Sequence, residues 1–543
     1  MEILDSSQRA YLRGLANHID AIFQIGKDGI GENMLIQLDA ALEKRELIKI
    51  SLLETCEHSV KEAAQIICDA TGAQSVQMIG RKLVLYREAS KDENRKIELP
   101  KKRKSKRKME CNYKKIGLFG GTFNPPHMGH VRALESFCRE ICPDVVYIMP
   151  SNIPPHKEVS EGDSPALRFH MAQLAFGGDE NISEFAGEKI FSAIEISRTG
   201  KSYSIDTVNK LISLFGCEKI YMYVGSDMLF CFEQWKDYKE LFKKCVLVTA
   251  ARCSADQQKL KERCEEYRVK YDCEYILLPL QPFDISSTEL RDMLSCKNSL
   301  YETKKYLTGE LYEYIIKNDV YCKKSPPDDI TSKKTTEEIR DLLPHNIDKN
   351  RLEHTFSVEK TALSLAEIYL PLYGYSDKYL EDISAAALLH DFTKNRPQEW
   401  HESYLNRFMR GFAGYPAVYH SWSAAYYALE NFFVNPRVFR AVYSHTTGRA
   451  DMDIFEKIIY LADFIEPGRK HDSCIKLREK FNFLVCRHLN EKDKLINILD
   501  KIILESLYGT LEHLKNSGKP VCPLLFEASD FLSDEKNVGF TSL

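Results

Sequence analysis

Two histidines three residues apart, His127 and His130, close the stretch KKIGLFGGTFNPPHMGH at residues 114–130, after an apolar run, a glycine pair and a proline pair. Residues of these types at this spacing are suited to holding a polyphosphate. Lys115 to Phe119 are expected to form a buried strand, and Gly120 and Gly121, which lack Cβ atoms, let a turn of backbone come close to a phosphate. Pro125 and Pro126 stop the strand, so a helix is expected from about His127. Its first turn presents free N–H groups and a positive dipole end, an anion site that needs no charged side chain. Spaced i, i+3, the two imidazoles lie on one face of that turn and can reach the same polyphosphate. A glycine pair or an HxGH alone would be an ordinary turn with surface histidines; the full string is rare by chance.

A second group of residues suggests metal chemistry. His354 in EHTFSVE, His390 and Asp391 in ALLHDFTK, His420 in VYHSWSAA, His445 in YSHTTGR and Asp463 in YLADFIEPGR all fall within a region of helical periodicity. Neighbouring His and Asp on one helix usually point apart, but a large metal cluster can gather both with partners from other helices. Lys394, one turn after His390, either offsets phosphate charge or is simply solvated. His345, His401, His471, His488 and His513 lie outside these segments and are taken as structural or surface residues.

The elements that must position these residues follow from periodicity. KIGLFGG, HVRALESFCREI, DVVYIMPS, KIYMYVGSD and KCVLVTAA alternate strand and helix as an α/β doubly wound sheet does. Ligands of such sheets bind beyond the carboxyl ends of the strands, which puts Gly120, Ser151, Ser226 and Asp227 along one crevice. The all-α region begins near residue 335, after the linker-like SPPDDITSKK. Ahead of the sheet, residues 1–88 read as a small α/β domain: a helix with Leu12, Leu15 and Ala16 on one face, a strand AIFQIG, a helix, a strand LIKISLL, a further helix, and a hairpin turning at Gly80. Gly26, Lys27 and Gly29 form a GxxG turn after the first strand, where backbone amides can approach a nucleic-acid backbone. Residues 1–108 hold 20 Lys and Arg against 16 Asp and Glu, although the chain of 543 residues has a net charge of −4. The excess is KKRKSKRK at 101–108, either a solvated spacer or a phosphate-contacting linker.

Composition excludes several classes. With 44% hydrophobic and 28% charged residues the chain is an ordinary globular protein of three or four domains. No apolar run approaches the ~18 residues of a membrane span, and the polar start MEILDSSQRA has no signal-peptide character. Sixteen scattered cysteines without a CxxC pair are expected to be reduced thiols, which implies a cytoplasmic location and no membrane partner.

Three resemblances sharpen these expectations. GGTFNPPHMGH is similar to the HxGH signature of the nucleotidyltransferase superfamily, in the spelling of bacterial nicotinate-nucleotide adenylyltransferase. SNIPPHK at 151–157, GKSYSIDTV at 200–208, GSDML at 225–229, Trp235 and ISSTELR at 285–291 extend the likeness over about 113–320. It implies ATP and nicotinate mononucleotide as substrates, with Mg²⁺ accompanying ATP. Gly120, Gly121, Thr122 and Phe123 would then meet the nucleotide, and His127 and His130 the triphosphate. Ser286, Ser287 and Arg291 would serve the β- and γ-phosphates, Lys157 the attacking phosphate, and Asp227 a ribose. Trp235 would stack on the pyridine ring, unless with Leu241 and Phe242 it is only core. The GKDG turn, with QRAYLRGLANHI and IGRKLVLYR, resembles the YhbY-like, or CRM, domain, which implies RNA or a ribosomal subunit as partner. HDFTK, SHTTGR and LADFIEPGR, with PLLFEASDFL, resemble the YqeK branch of the HD-domain phosphohydrolases over about 340–530, which implies symmetrical cleavage of diadenosine tetraphosphate. In that frame His354, His390, Asp391 and Asp463 would hold one metal ion, and His420 and His445 a second bridged through Asp391, iron or manganese suiting the donors.

The resulting expectation is a multidomain fusion: an RNA-binding domain (1–88), a basic linker (89–112), a Rossmann-like adenylyltransferase domain (113–322), a linker (323–338) and an HD domain (339–535). Two alternatives stay open. One keeps the folds but changes the substrates to nicotinamide mononucleotide or pantetheine phosphate with another phosphohydrolase. The other is a ribosome-assembly factor with decayed enzyme domains, against which the intact HxGH, ISSTxxR and HD sets argue.

Overall fold

The structure is a computed structural model, and it describes all residues except 1–3, 5, 17–18, 28, 54, 57, 98, 100–112, 155–163, 179–184, 252–255, 281–282, 284, 297–299, 322–330 and 535–543. Lys157 and the basic run 101–108 therefore lie outside the described residues. Two compact units divide the chain at Glu110.

In the first unit β1 (Ala21–Ile25) pairs in parallel with β2 (Leu47–Leu52), and β3 (Gln74–Ile79) and β4 (Lys82–Tyr86) form a hairpin about Gly80, giving the order β1-β2-β4-β3. Helix Val60–Thr71 starts where Ser59 and Glu62 cap one another's backbone N–H groups and ends at Gly72 in the left-handed region. Such a box satisfies two of the helix's orphan donors. Helices Glu32–Arg45 and Val60–Thr71 bury Leu38, Leu42 and Ile67 against Ile48, Ile50 and Leu83. The stretch expected to begin a linker at residue 89 is in fact tied to this domain. The buried Glu46 carboxylate accepts the N–H groups of Ala89, Lys96 and Ile97, and Ile97 and Leu99 pack beside Val84 and Tyr86.

The second unit is built on a six-stranded parallel sheet: β5 (Ile116–Gly121), β6 (Val145–Pro150), β7 (Glu188–Phe191), β8 (Ile220–Tyr223), β9 (Cys245–Thr249) and β10 (Glu274–Leu277), in the order β10-β9-β8-β5-β6-β7. The order reverses between β5 and β8, which makes the carboxyl ends of these two strands the natural ligand crevice. Each face carries its own apolar core, one around Leu118, Tyr147 and Met222 and the other around Phe119, Phe137 and Ile148. This is why β5 and β6 read as nearly continuous apolar runs.

Helices make up the remainder. Lys333–Asn346 begins inside the stretch expected to be linker, because Ser332 caps its first turn by accepting the Thr335 N–H. Lys349–Tyr369, Leu380–Leu389, Tyr419–Asn431, Pro436–Ser444, Ile454–Ile465 and Lys492–Asn516 enclose one apolar core. That core also takes in Ala166, Phe169, Ala193 and Ile196 from the sheet domain, so the helical domain and the sheet domain are packed as one body. No described helix is long and apolar enough to cross a membrane.

Candidate functional site: a nucleotide cavity and a histidine–aspartate cluster

β5 runs through both glycines, which pair with Met149 and Pro150 of β6, so Gly120 and Gly121 end the strand and do not form the turn expected of them. The turn itself lies at Phe123, whose backbone is left-handed, followed by a cis Asn124–Pro125 bond. Gly121 is required by packing, since a Cβ there would fall 2.7 Å from the Phe123 ring. Phe123 is 2% exposed and packs on Phe119 and Phe176, so its side chain is turned into the core and does not line the cavity.

Helix Met128–Ile141 then starts with an unusual reciprocal cap. His127 Nδ1 accepts the Gly129 N–H and His130 Nδ1 accepts the His127 N–H, each at 3.2 Å. An imidazole whose Nδ1 accepts must carry its hydrogen on Nε2, so both rings are fixed as Nε2–H donors. Gly129 permits this fold-back, because a Cβ there would come within 3.0 Å of the His127 ring. The buried Arg168 holds the surrounding loops by donating to the carbonyls of Thr122 (3.0 Å), Ser151 (2.6 Å) and Asn152 (2.8 Å).

A cavity of about 230 Å³ opens over these strand ends. Gly120, Gly121, Thr122, His127, His130, Ser151, Asp227 and Trp235 line it, so most of the sequence-derived set is gathered in one place. Trp235 stacks on Phe232 at 4.8 Å beside the core and also borders the cavity, so it is not core alone. Helix Ser287–Ser295 docks beside the histidine turn. Ser287 donates to the Pro125 carbonyl (3.0 Å) and Arg291 to that of Asn124 (2.7 Å), while Ser286 caps the helix with Glu289. These three side chains are next to the cavity without lining it. The sequence reading missed Glu195 and Tyr203, which also line the cavity. Glu195 accepts from Thr207 at 2.8 Å, and burial pushes its carboxyl upward. Its only signal was a lone acidic residue in an apolar run, SAIEIS.

In the helical domain two groups of ligand atoms share one carboxylate. His354, His390 and Asp391 converge in one triad, and Asp391, His420 and His445 in another, with the ligand atoms of each within 4.8 Å of one another. Asp391 Oδ2 faces His390 Nε2 (3.6 Å) and His354 Nε2 (3.9 Å), and Oδ1 faces His420 Nε2 (3.2 Å) and His445 Nε2 (3.7 Å). Asp463 stands beside the first triad, 3.0 Å from His354 Nε2 and 3.9 Å from His390 Nε2. His390 and His445 end helices Leu380–Leu389 and Pro436–Ser444, and their Nδ1 atoms lie 2.6 and 2.7 Å from the carbonyls of Ala387 and Val442. A carbonyl can only accept, so both Nδ1 atoms carry hydrogen and both Nε2 lone pairs point into the cluster.

The electrostatics suit cations. Burial drives the His390 imidazole down to about 4, keeping it neutral, and His420 is also held well below the ordinary histidine range by burial and by Lys394. Burial opposes ionisation of Asp391, yet the carboxyl is held well below its usual range by the charges facing it, Lys394 being the permanent cation among them. His390 Nε2 is buried with no hydrogen-bond partner among the described residues. Neutral imidazole nitrogens converging on a shared buried carboxylate are the donor set of a first-row metal site. Several residues around it carried no role in the sequence reading. Glu466 orients His354 through Nδ1 (3.1 Å), Arg351 donates to Asp391 (2.7 Å), and Arg469 pairs with Asp463. Lys394 is exposed, and its amino group also lies 2.9 Å from His420 Nε2, so it is solvated and faces the cluster at once.

Comparison with known proteins divides the chain in the same way. Residues 4–87 match the CRS1 / YhbY (CRM) domain family, 118–293 the cytidylyltransferase-like family and 351–468 the HD domain family. A protein of Carboxydothermus hydrogenoformans named "Probable nicotinate-nucleotide adenylyltransferase" is 32% identical over 209 residues, 38% of this chain and 98% of its own length. The chain belongs to the nicotinate-nucleotide adenylyltransferase family. A relative of the same name from Lachnoclostridium phytofermentans is 29% identical over 208 residues, 38% of this chain and 99% of its own. The crystal structure of a "predicted HD superfamily hydrolase involved in NAD metabolism" from Clostridium acetobutylicum is 27% identical with a TM-score of 0.30, covering 36% of this chain and 95% of its own. The protein is thus a three-part fusion, with the adenylyltransferase domain between a CRM domain and an HD domain.

The CRM domain carries the GxxG turn as the sequence reading expects. Gly29 N–H donates to the Gly26 carbonyl (3.1 Å), Gly29 adopts φ +65°, and Lys27 is exposed at the tip. A left-handed position in a tight turn of this kind favours glycine.

Proposed function

We propose that the adenylyltransferase domain transfers the adenylyl group of ATP to nicotinate mononucleotide. A 5′-phosphate oxygen of the mononucleotide attacks the α-phosphorus, the bond from that phosphorus to the oxygen bridging to the β-phosphate breaks, and pyrophosphate leaves. No enzyme nucleophile is needed, so the protein contributes position and charge stabilisation. The reciprocal histidine cap carries this reading: it sets two imidazoles, each with its hydrogen on Nε2, along the cavity at a helix start beside a glycine-ended strand. Mg²⁺ arriving with ATP would neutralise charge on the leaving pyrophosphate. Asp227 is suited to ribose hydroxyls, Trp235 to the pyridine face, and Lys157, Ser286, Ser287 and Arg291 to the phosphates.

Nicotinate mononucleotide is expected to be used at higher kcat/KM than the nicotinamide form, because a site that hydrogen-bonds a carboxylate leaves groups unpaired when an amide replaces it. Discrimination of that kind can reach about 10⁴-fold. Steady-state assays with both mononucleotides decide it, and equal values would reject the acid-specific assignment.

The HD domain is read as a metal-dependent hydrolase of a dinucleoside polyphosphate, diadenosine tetraphosphate, giving two ADP. His354, His390, Asp391 and Asp463 would hold one ion and Asp391, His420 and His445 another, iron or manganese, and such ions supply Lewis-acid activation of phosphate and water. Arg351 and Lys394 bring positive charge beside Asp391 and Arg469 beside Asp463, which suits a polyphosphate. Incubation with the dinucleotide and identification of the products tests this; AMP and ATP as products would reject symmetrical cleavage.

The CRM domain is read as an RNA-binding module acting in the cytoplasm, on a ribosomal subunit or its precursor. Deleting residues 1–108 should leave both catalytic activities within about twofold and remove salt-sensitive RNA binding, since Lys27, the GKDG amides and the basic run supply its phosphate contacts. Gel-shift titration at two salt concentrations measures it, and undiminished binding would give the module another role.

A further inference from the structure

The segment from Phe191 to Ser202 leads from β7 to the residues that line one side of the nucleotide cavity, and the HD domain holds it from outside. Phe191 N–H donates to the Arg407 carbonyl (3.2 Å), and Ala193 N–H donates to the Tyr426 hydroxyl (3.4 Å). Arg440 donates to the Arg198 carbonyl at 3.3 Å, which Asn152 also reaches at 3.1 Å from the end of β6. Ala193 and Ile196 are buried in the core of the HD domain. Tyr426 itself is 3% exposed and stacks on Phe408, and Arg440 is anchored by Asp453 at 2.7 Å. The same segment presents Glu195 and Ser202 to the cavity, with Glu195 linked through Thr207 to the Arg198 side chain. It continues into Tyr203, over whose ring Lys236 lies at 4.6 Å, beside Trp235. A cavity wall fixed on its inner side by Asn152 and on its outer side by a neighbouring domain takes its position from both.

We propose that Tyr426 and Arg440, residues of the HD domain, are positioning residues for adenylyl transfer, bracing the Phe191–Ser202 wall on the Trp235 side of the cavity. This rests on the adenylyltransferase reading above. The adenylyltransferase domain of this fusion accordingly depends on its HD neighbour for mononucleotide affinity, and the fusion is a mechanical requirement as well as a covalent one.

The test uses the full chain with Tyr426→Phe, Arg440→Lys and the double variant. Each keeps the volume or charge that the HD core needs. The double variant is expected to raise KM for nicotinate mononucleotide about five- to tenfold, the size of losing one or two hydrogen bonds, with kcat and the KM for ATP nearly unchanged. Diadenosine tetraphosphate cleavage should stay at its wild-type value and the melting temperature should fall by only a few degrees, since Arg440→Lys also gives up part of the contact with Asp453. Amide hydrogen exchange across 191–202 should quicken, which a change confined to the HD core would not produce. A wild-type mononucleotide KM in the folded double variant would overturn the proposal. So would parallel losses of both activities and of thermal stability, which mean only a damaged fold. Failure of the wild-type chain to make a dinucleotide would reject the adenylyltransferase reading, and the positioning role with it, whereas the exchange measurement reports on the brace independently of turnover.

Discussion

Replacing His130 by alanine is expected to lower dinucleotide synthesis by about 10²–10³-fold, the usual cost of losing one donor to charge developing in a transition state. Two effects act together. The Nε2–H donor at the start of helix Met128–Ile141 disappears, and the His127 N–H, which His130 Nδ1 accepts at 3.2 Å, loses its cap. His127 would keep its own Nδ1 contact with the Gly129 N–H, so its ring should remain in place. The loss should therefore appear in kcat more than in KM, since the donor matters most where charge develops. The HD cluster shares no residue with this turn, so diadenosine tetraphosphate cleavage serves as the internal control for folding. A folded variant that synthesises dinucleotide at the wild-type rate would remove His130 from the mechanism.

Asp391→Ala should abolish diadenosine tetraphosphate cleavage and lower the metal content while adenylyl transfer persists. Among the described residues Asp391 is the one carboxylate common to both triads, with Oδ2 turned to His354 and His390 and Oδ1 to His420 and His445. Removing it takes an anion from each triad at once. It also leaves Arg351, which donates to it at 2.7 Å, and Lys394 facing the cluster without that counter-charge. Two cationic side chains near neutral imidazoles disfavour binding of a further cation. The competing account makes Asp391 only an orienter of His390, which predicts a loss of about 10–100-fold with metal retained. The Nδ1 contact of His390 with the Ala387 carbonyl already orients that ring, which weakens the competing account. Metal analysis beside kinetics separates the two, and Asp391→Asn, which keeps the shape but not the charge, isolates the electrostatic part. A variant with full metal content and full hydrolysis would reject the reading of this cluster.

The sequence by itself determined what depends on neighbouring residues. The strand and helix start around His127 and His130, the hairpin at Gly80 and the GxxG turn are local patterns, fixed by Cβ-free positions, capping geometry and the 3.6-residue period, and the six positions of the histidine–aspartate set fall on or directly after helices of that period. β7 and β10 escaped notice because, unlike the equally short β8, each opens on an exposed glutamate and buries little of its length. Gly120 and Gly121 were misplaced by one element, since the left-handed turn at Phe123 is unusual for a non-glycine residue and depends on packing against Phe119 and Phe176.

What only the tertiary structure decided is what lies between elements distant in the chain. Asp391 joins two triads because four helices cross there, and sequence distance carries no record of that crossing. Lys394, compatible with solvent by pattern, stays exposed, yet the fold also brings its amino group to His420. The linker limits moved because a buried carboxylate, Glu46, gathers the amides of residues 89, 96 and 97, some fifty positions away. The wall of the nucleotide cavity rests on Tyr426 and Arg440, more than two hundred residues beyond it. Such contacts form wherever burial and hydrogen-bond satisfaction bring surfaces together, and no period along the chain encodes them.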